Sequence, residues 1–201
     1  MSRRFEISSN LVYWTVVTAL AGCTLFFVGN VQQRRGELRT DDAVAIDTGT
    51  LVTPVRVIDA DEVSVRGPEG GTFVVRLLGV KGFATTINEP GLSGLGQAAV
   101  AEIEKTIEGK PLQVVFDELK LDAAGRVLAY LHAGDMDVGE HLVTSGRLVA
   151  YTRYPFSRED DYEDAEAEAR EDKRGLWGNY KAVSRVQGWK DTWKTARLAQ
   201  E

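Results

Sequence analysis

The sequence predicts an α+β fold: a five-stranded OB-type Greek-key β-barrel with about three helices, preceded by one transmembrane helix and followed by a C-terminal helix. Three observations predict it. Five β-rich runs occur with one helical pattern between the third and the fourth, the element order of an OB-type barrel. An uncharged, apolar stretch covers residues 11–28. Beyond Gly178 the apolar residues Val186, Trp189, Trp193 and Ala196 recur at helical spacing. These divide the chain into a short polar N-terminus (1–10), a transmembrane helix (11–30), a juxtamembrane linker (31–49), a barrel domain (50–178) and an amphipathic tail helix (179–201).

The anchor comes first. Eighteen helical residues at about 1.5 Å each give about 27 Å, within the range of helices that span a hydrocarbon core of about 30 Å. Tyr13 and Trp14 stand where an interfacial aromatic belt lies. Arg3 and Arg4 flank one end and Arg34 and Arg35 the other, so the balance of positive charge assigns no orientation. Leu20-Ala21-Gly22-Cys23 resembles a bacterial lipobox, with Cys23 as the lipidated residue. The apolar run continues through Leu25-Phe26-Phe27-Val28, whereas a mature lipoprotein turns polar after its cysteine, so an uncleaved anchor is the preferred reading. Cys23 is the single cysteine, and no disulfide within the chain is possible.

Each barrel element has its own signal. Residues 51–58 are β-rich, residues 62–66 alternate with period two, and Gly67-Pro68-Glu69-Gly70-Gly71 supplies turn chemistry before a third strand at 72–78. Residues 97–108 read as an amphipathic helix stopped by Gly109. Strands at 112–116 and 126–132 follow, then a short helix at 138–145 closed by Gly146, and a charged helix at 160–174 ended by Gly175.

Charge limits the partners. Residues 1–40 hold five arginines against Glu6 and Glu37; taking these from 24 basic and 30 acidic residues leaves 19 and 28, a net −9 for residues 41–201. Polyanion binding draws on Lys and Arg releasing counterions, and so acidic a domain repels nucleic acid at long range.

Four segments carry a family resemblance: Val57-Ile58-Asp59-Ala60-Asp61-Glu62-Val63, Val75-Arg76-Leu77-Leu78-Gly79-Val80, Gly125-Arg126-Val127-Leu128-Ala129-Tyr130 and Gly175-Leu176-Trp177. Together, and in this order, they resemble the staphylococcal nuclease (thermonuclease) family over about residues 50–177. The resemblance implies a calcium ion held by one carboxylate of an Asp-Gly-Asp-Thr turn and another of a Val-Asp-x-Pro-Glu segment. The Glu of that segment activates water, and two arginines neutralise the phosphate. Asp61 matches the first ligand, Arg76 and Arg126 the two arginines. Lys81-Gly82-Phe83-Ala84 replaces the Asp-x-Pro-Glu segment, so Lys81 stands at the second ligand and Ala84 at the general base; Ala124 replaces the tyrosine before Gly-Arg. Calcium wants several hard oxygen ligands, and a fixed ammonium beside Asp61 opposes it. The expectation is therefore a catalytically degenerate member with no metal and no cofactor, with Lys81 as an internal counter-ion to Asp61. Glu89 in Asn88-Glu89-Pro90 is a minority candidate for a replacement base. His132 and His141 lack partners at metal-ligand spacing.

The leading functional expectation is a non-catalytic, membrane-anchored accessory or assembly subunit of a larger complex. The partners are the lipid bilayer through residues 11–30 and other protein subunits. Resemblance in layout to membrane-anchored nuclease-like proteins of mitochondria points to the mitochondrial inner membrane, with respiratory-chain or ATP synthase assemblies as candidate complexes. A bacterial inner membrane is the alternative. Two other functions stand beside it: a tethered calcium-dependent nuclease or phosphodiesterase with a rearranged site, and a nucleic-acid or phospholipid-headgroup binder using Arg76 and Arg126. Trp189 and Trp193, with Lys190 and Lys194, lie four apart on one face of the tail helix, which docks either on its own domain or on a partner.

Overall fold

The computed structural model describes residues 46–122 and 124–199. Residues 11–30, where the anchor is expected, lie outside them. Among the described residues no helix is long and apolar enough to cross a membrane.

Five strands close a barrel: β1 (Leu51–Asp59), β2 (Glu62–Arg66), β3 (Thr72–Leu77), β5 (Leu112–Val115) and β6 (Val127–Ala133). Neighbours pair antiparallel in the order β3-β2-β1-β5-β6, and a parallel pairing of β3 with β6 joins the ends. Closure removes the free strand edges. β1 is long for its partners and bends through register shifts at Pro54/Arg56 and Val57/Asp59; Pro54, which has no N–H to give the ladder, sits at the first of them. Three two-residue strands were not anticipated. β4 (Val80–Lys81) pairs with β8 (Val149–Ala150), and β7 (Met136–Asp137) turns back on β6. Elements this short leave no period to read.

Among the described residues four helices surround the barrel: α1 (Leu95–Ile107), α2 (Val138–Thr144), α3 (Glu159–Glu171) and α4 (Tyr180–Leu198), with a 3₁₀ turn at Gly175–Gly178. Asp137 caps α2 by accepting from the N–H groups of Gly139 and Glu140, at 2.8 and 3.2 Å. Asn179 caps α4 in the same way through Lys181 and Ala182. The first core fills the barrel with Val63, Val65, Phe73, Val75, Leu112 and Leu131 and seals it with Ile103 of α1. A second core lies between β8, α3 and α4 and gathers Phe83, Leu92, Val149, Leu176, Trp177 and Trp193. Gly146 and Gly175 meet backbone to backbone where the cores adjoin: both have positive φ, and a Cβ on either would collide with the other's chain.

Candidate functional site

The β1–β2 hairpin turns tightly at Asp59-Ala60-Asp61-Glu62, with Asp59 opposite Glu62. The turn places Asp61 inside the fold, 4% exposed, where its carbonyl accepts from the N–H of Leu77 at 2.9 Å. Antiparallel register sets Glu62 directly across from Arg76. The parallel pairing of β3 with β6 brings Arg126, the residue preceding β6, to the same end of the barrel. Lys81 reaches that end from β4, which is held by its pairing with β8.

The charged groups form one connected network. Asp61 Oδ2 receives Arg76 Nη2 at 3.2 Å and Lys81 Nζ at 3.1 Å. Arg76 Nη1 lies 3.5 Å from Glu62 Oε1, and Arg126 Nη1 binds the same oxygen. Asp122 Oδ2 takes both Arg126 Nε at 2.6 Å and Nη2 at 2.5 Å, while its Oδ1 accepts from the N–H groups of Ala124 and Arg126. Burial alone would raise the Asp122 carboxyl, but the Arg126 and Ala124 N–H groups and the Arg126 guanidinium hold it below the ordinary carboxylate value. Burial opposes the charge of Arg126 as well, and the carboxylates of Asp122 and Glu62 outweigh it and raise its pKa. Asp59, beside the network, is held by backbone: its Oδ1 accepts from Ala60 and Thr85, each at 2.9 Å.

A calcium ion does not fit these residues. It needs six to eight oxygens, whereas Asp61 Oδ2 is taken by two cations, Asp59 Oδ1 by two amides, and Glu62 and Asp122 by arginines. Among the described residues no group of three His, Cys, Asp or Glu side chains is arranged to hold a metal. Ala84 is exposed and supplies no polar side chain. Glu89 turns away to α4, where its Oε2 takes Arg185 Nη2 at 2.5 Å. His132 and His141 stand apart, facing Asp137 at 3.8 Å and Glu102 at 3.5 Å.

The tail helix lies on its own domain. Trp193 is 7% exposed and meets Tyr151 edge-on at 4.7 Å. Trp189 packs on Phe83 at 4.8 Å and stacks with Trp193 at 6.1 Å. Lys190 Nζ reaches the buried Glu166 Oε1 at 2.7 Å, while Lys194 is exposed. Of the four tail residues singled out in the sequence, the structure thus turns Trp189, Trp193 and Lys190 toward the fold.

Glu62, which bridges the two arginines, has no place among the sequence candidates. Its signal was available: it stands where the Asp-Gly-Asp-Thr turn of the resembled family has threonine. A second cluster gathers residues that no sequence motif links. Asp117 accepts from the Tyr130 hydroxyl and the Ser157 N–H at 2.8 Å and from the Ser157 hydroxyl at 2.7 Å. It lines an open cavity of about 350 Å³ with Phe116, His132, Asp137 and Arg158.

Two comparisons with known proteins bear on this arrangement. The family described as "Staphylococcal nuclease homologue" matches residues 74–179, just over half of the 201-residue chain. That span includes Arg76, Lys81, Ala84 and Arg126, and the β1–β2 hairpin with Asp61 precedes it. No curated protein matches the chain. On the strength of the family match, supported by the five-stranded barrel, the chain belongs to the staphylococcal nuclease homologues.

Proposed function

We propose that this staphylococcal nuclease homologue is a non-catalytic domain that acts by binding, as an accessory or assembly subunit of a larger membrane complex to which residues 11–30 tether it. The observation that carries the proposal is the Lys81 ammonium 3.1 Å from Asp61 Oδ2, where an active relative needs a second carboxylate. Two unit charges 4 Å apart interact by about 4 kcal/mol at an effective dielectric of about 20, and a divalent ion doubles that. Calcium at Asp61 therefore meets strong repulsion from Lys81 and Arg76 and finds one carboxylate already neutralised. At the family's general-base position Ala84 brings only a methyl group, and Glu89 is engaged by Arg185. The tether is supported by the uncharged stretch at 11–28, and the mitochondrial inner membrane is the first setting to examine, ahead of a bacterial one.

The test is native separation of mild-detergent membrane extracts, with identification of whatever migrates with the chain. Migration within a large assembly supports the accessory role; migration alone near 22.1 kDa plus detergent refutes it. The non-catalytic part is tested separately. Calcium-dependent hydrolysis of DNA or RNA by the purified chain, abolished by Asp61→Ala, would overturn it.

A further inference from the structure

The two arginines matching the phosphate-neutralising pair of the family are not free; a carboxylate of the chain lies between them. We infer that Glu62 is a built-in occupant of an anion seat, a carboxylate that holds Arg76 and Arg126 and so keeps phosphate-like oxyanions out. The inference rests on the metal-free reading of the same site.

Three observations carry it. Both guanidinium groups converge on a single oxygen, Glu62 Oε1, one from β3 and one from the residue just before β6, 14 and 64 positions away in the sequence. The place is accessible to a ligand: the side chains of Arg126 and Lys81 are 36% and 33% exposed, and that of Glu62 is 18% exposed. Among the ion-paired groups the charge is closed, for Arg76, Lys81 and Arg126 stand against Asp61, Glu62 and Asp122, three against three, and Asp59 beside them is held by backbone N–H groups. An incoming oxyanion gains no net attraction there and must displace a carboxylate already held in place by the β2–β3 register. Removing the charge of Glu62 alone leaves three cations against two carboxylates, with two guanidinium groups unsatisfied on the side that Glu62 vacates.

Glu62→Thr, the residue type of the family turn, opens the seat, and Glu62→Gln neutralises it while preserving shape. The full chain in mild detergent is titrated with inorganic phosphate by calorimetry, in the presence of a chelator so that no divalent ion takes part. Far-UV circular dichroism and thermal unfolding establish that each variant is folded. The native chain is expected to bind phosphate at least about tenfold more weakly than either variant. The variants' affinity should fall with rising salt, and adding Arg126→Ala to Glu62→Thr should erase the gain. Equal affinity of the native chain and both folded variants overturns the inference, as does a gain that survives Arg126→Ala. Calcium-dependent hydrolysis by the native chain instead refutes the metal-free reading, so the two failures are told apart.

Discussion

Replacing Lys81 by methionine keeps the unbranched stem of the side chain, one atom shorter, and removes the ammonium from Asp61. Breaking a fully buried pair costs about 3–5 kcal/mol, because a charge is left buried and unpaired. Two features reduce that here. The Lys81 side chain is 33% exposed, so water screens the pair, and Asp61 retains Arg76 Nη2 at 3.2 Å. Exposed pairs contribute about 0–1 kcal/mol, and a partly buried, doubly bonded carboxylate falls between the limits. Lys81→Met should therefore cost about 1.5 kcal/mol, a fall in Tm of about 3–6 °C for a domain of this size. Asp61→Asn should cost more, about 2–3 kcal/mol, since it leaves Arg76 and Lys81 facing each other without the carboxylate. The assay is urea unfolding of the full chain in mild detergent, followed by circular dichroism, for the native protein, both single variants and the double variant. Direct contact predicts that the double variant loses less than the sum of the singles. Additive losses, or a Lys81→Met variant within about 0.5 kcal/mol of the native protein, would show that the pair does not hold the hairpin. A native Tm raised by millimolar calcium would refute the counter-ion account altogether.

Two further outcomes follow from the packing and the titration. Trp193→Ala should cost about 3–5 kcal/mol in the same urea assay, since it empties part of the second core, whereas the exposed Lys194→Ala should stay within about 0.5 kcal/mol. Equal effects would mean that α4 is not docked as described. The pKa of Asp122 is lowered in the folded state, so its stabilisation is fully present above the unfolded value of about 3.9 and is lost as pH falls through the lower folded value. Asp122→Asn should accordingly reduce stability at neutral pH and flatten its decline below about pH 4; an unchanged acid limb in pH-dependent unfolding would contradict the assignment.

Local chemistry explains how much of the fold was legible. Glu62–Arg66 announces itself by strict alternation, and its bounds are those the sequence suggests. The helices lie within a few residues of expectation, and glycines mark two of the ends: Gly109 and Gly146 take positive φ just past α1 and α2, whereas α3 stops short of Gly175, with Lys173 in the left-handed conformation after its C-cap. The barrel order could be guessed from the count of strands and the place of one helix. What could not be read was whatever depends on closure. Nothing in residues 72–77 or 127–133 says that these strands pair parallel, and Val80–Lys81 pairs with Val149–Ala150 across about 70 intervening residues.

The same limit governs the site. Lys81, Ala84, Arg76 and Arg126 were found because each sits at a fixed place within a short motif, where a changed residue type is visible without a structure. Glu62 sits in such a motif too, one residue after Asp61, yet as sequence it is an ordinary polar position on an alternating strand, with a solvated side chain as its simplest reading. Its importance appears only when β3 meets β6 and brings Arg126 to the end of β2. In the proposed non-catalytic reading, Lys81 at the family's second-ligand position and Glu62 at its threonine position act as a complementary pair. The first neutralises Asp61 with a cation of the chain, and the second neutralises the arginines with an anion of the chain. On that reading, either residue without the other would leave unpaired charge at the end of the barrel, and together they pair every charge of the network within the chain.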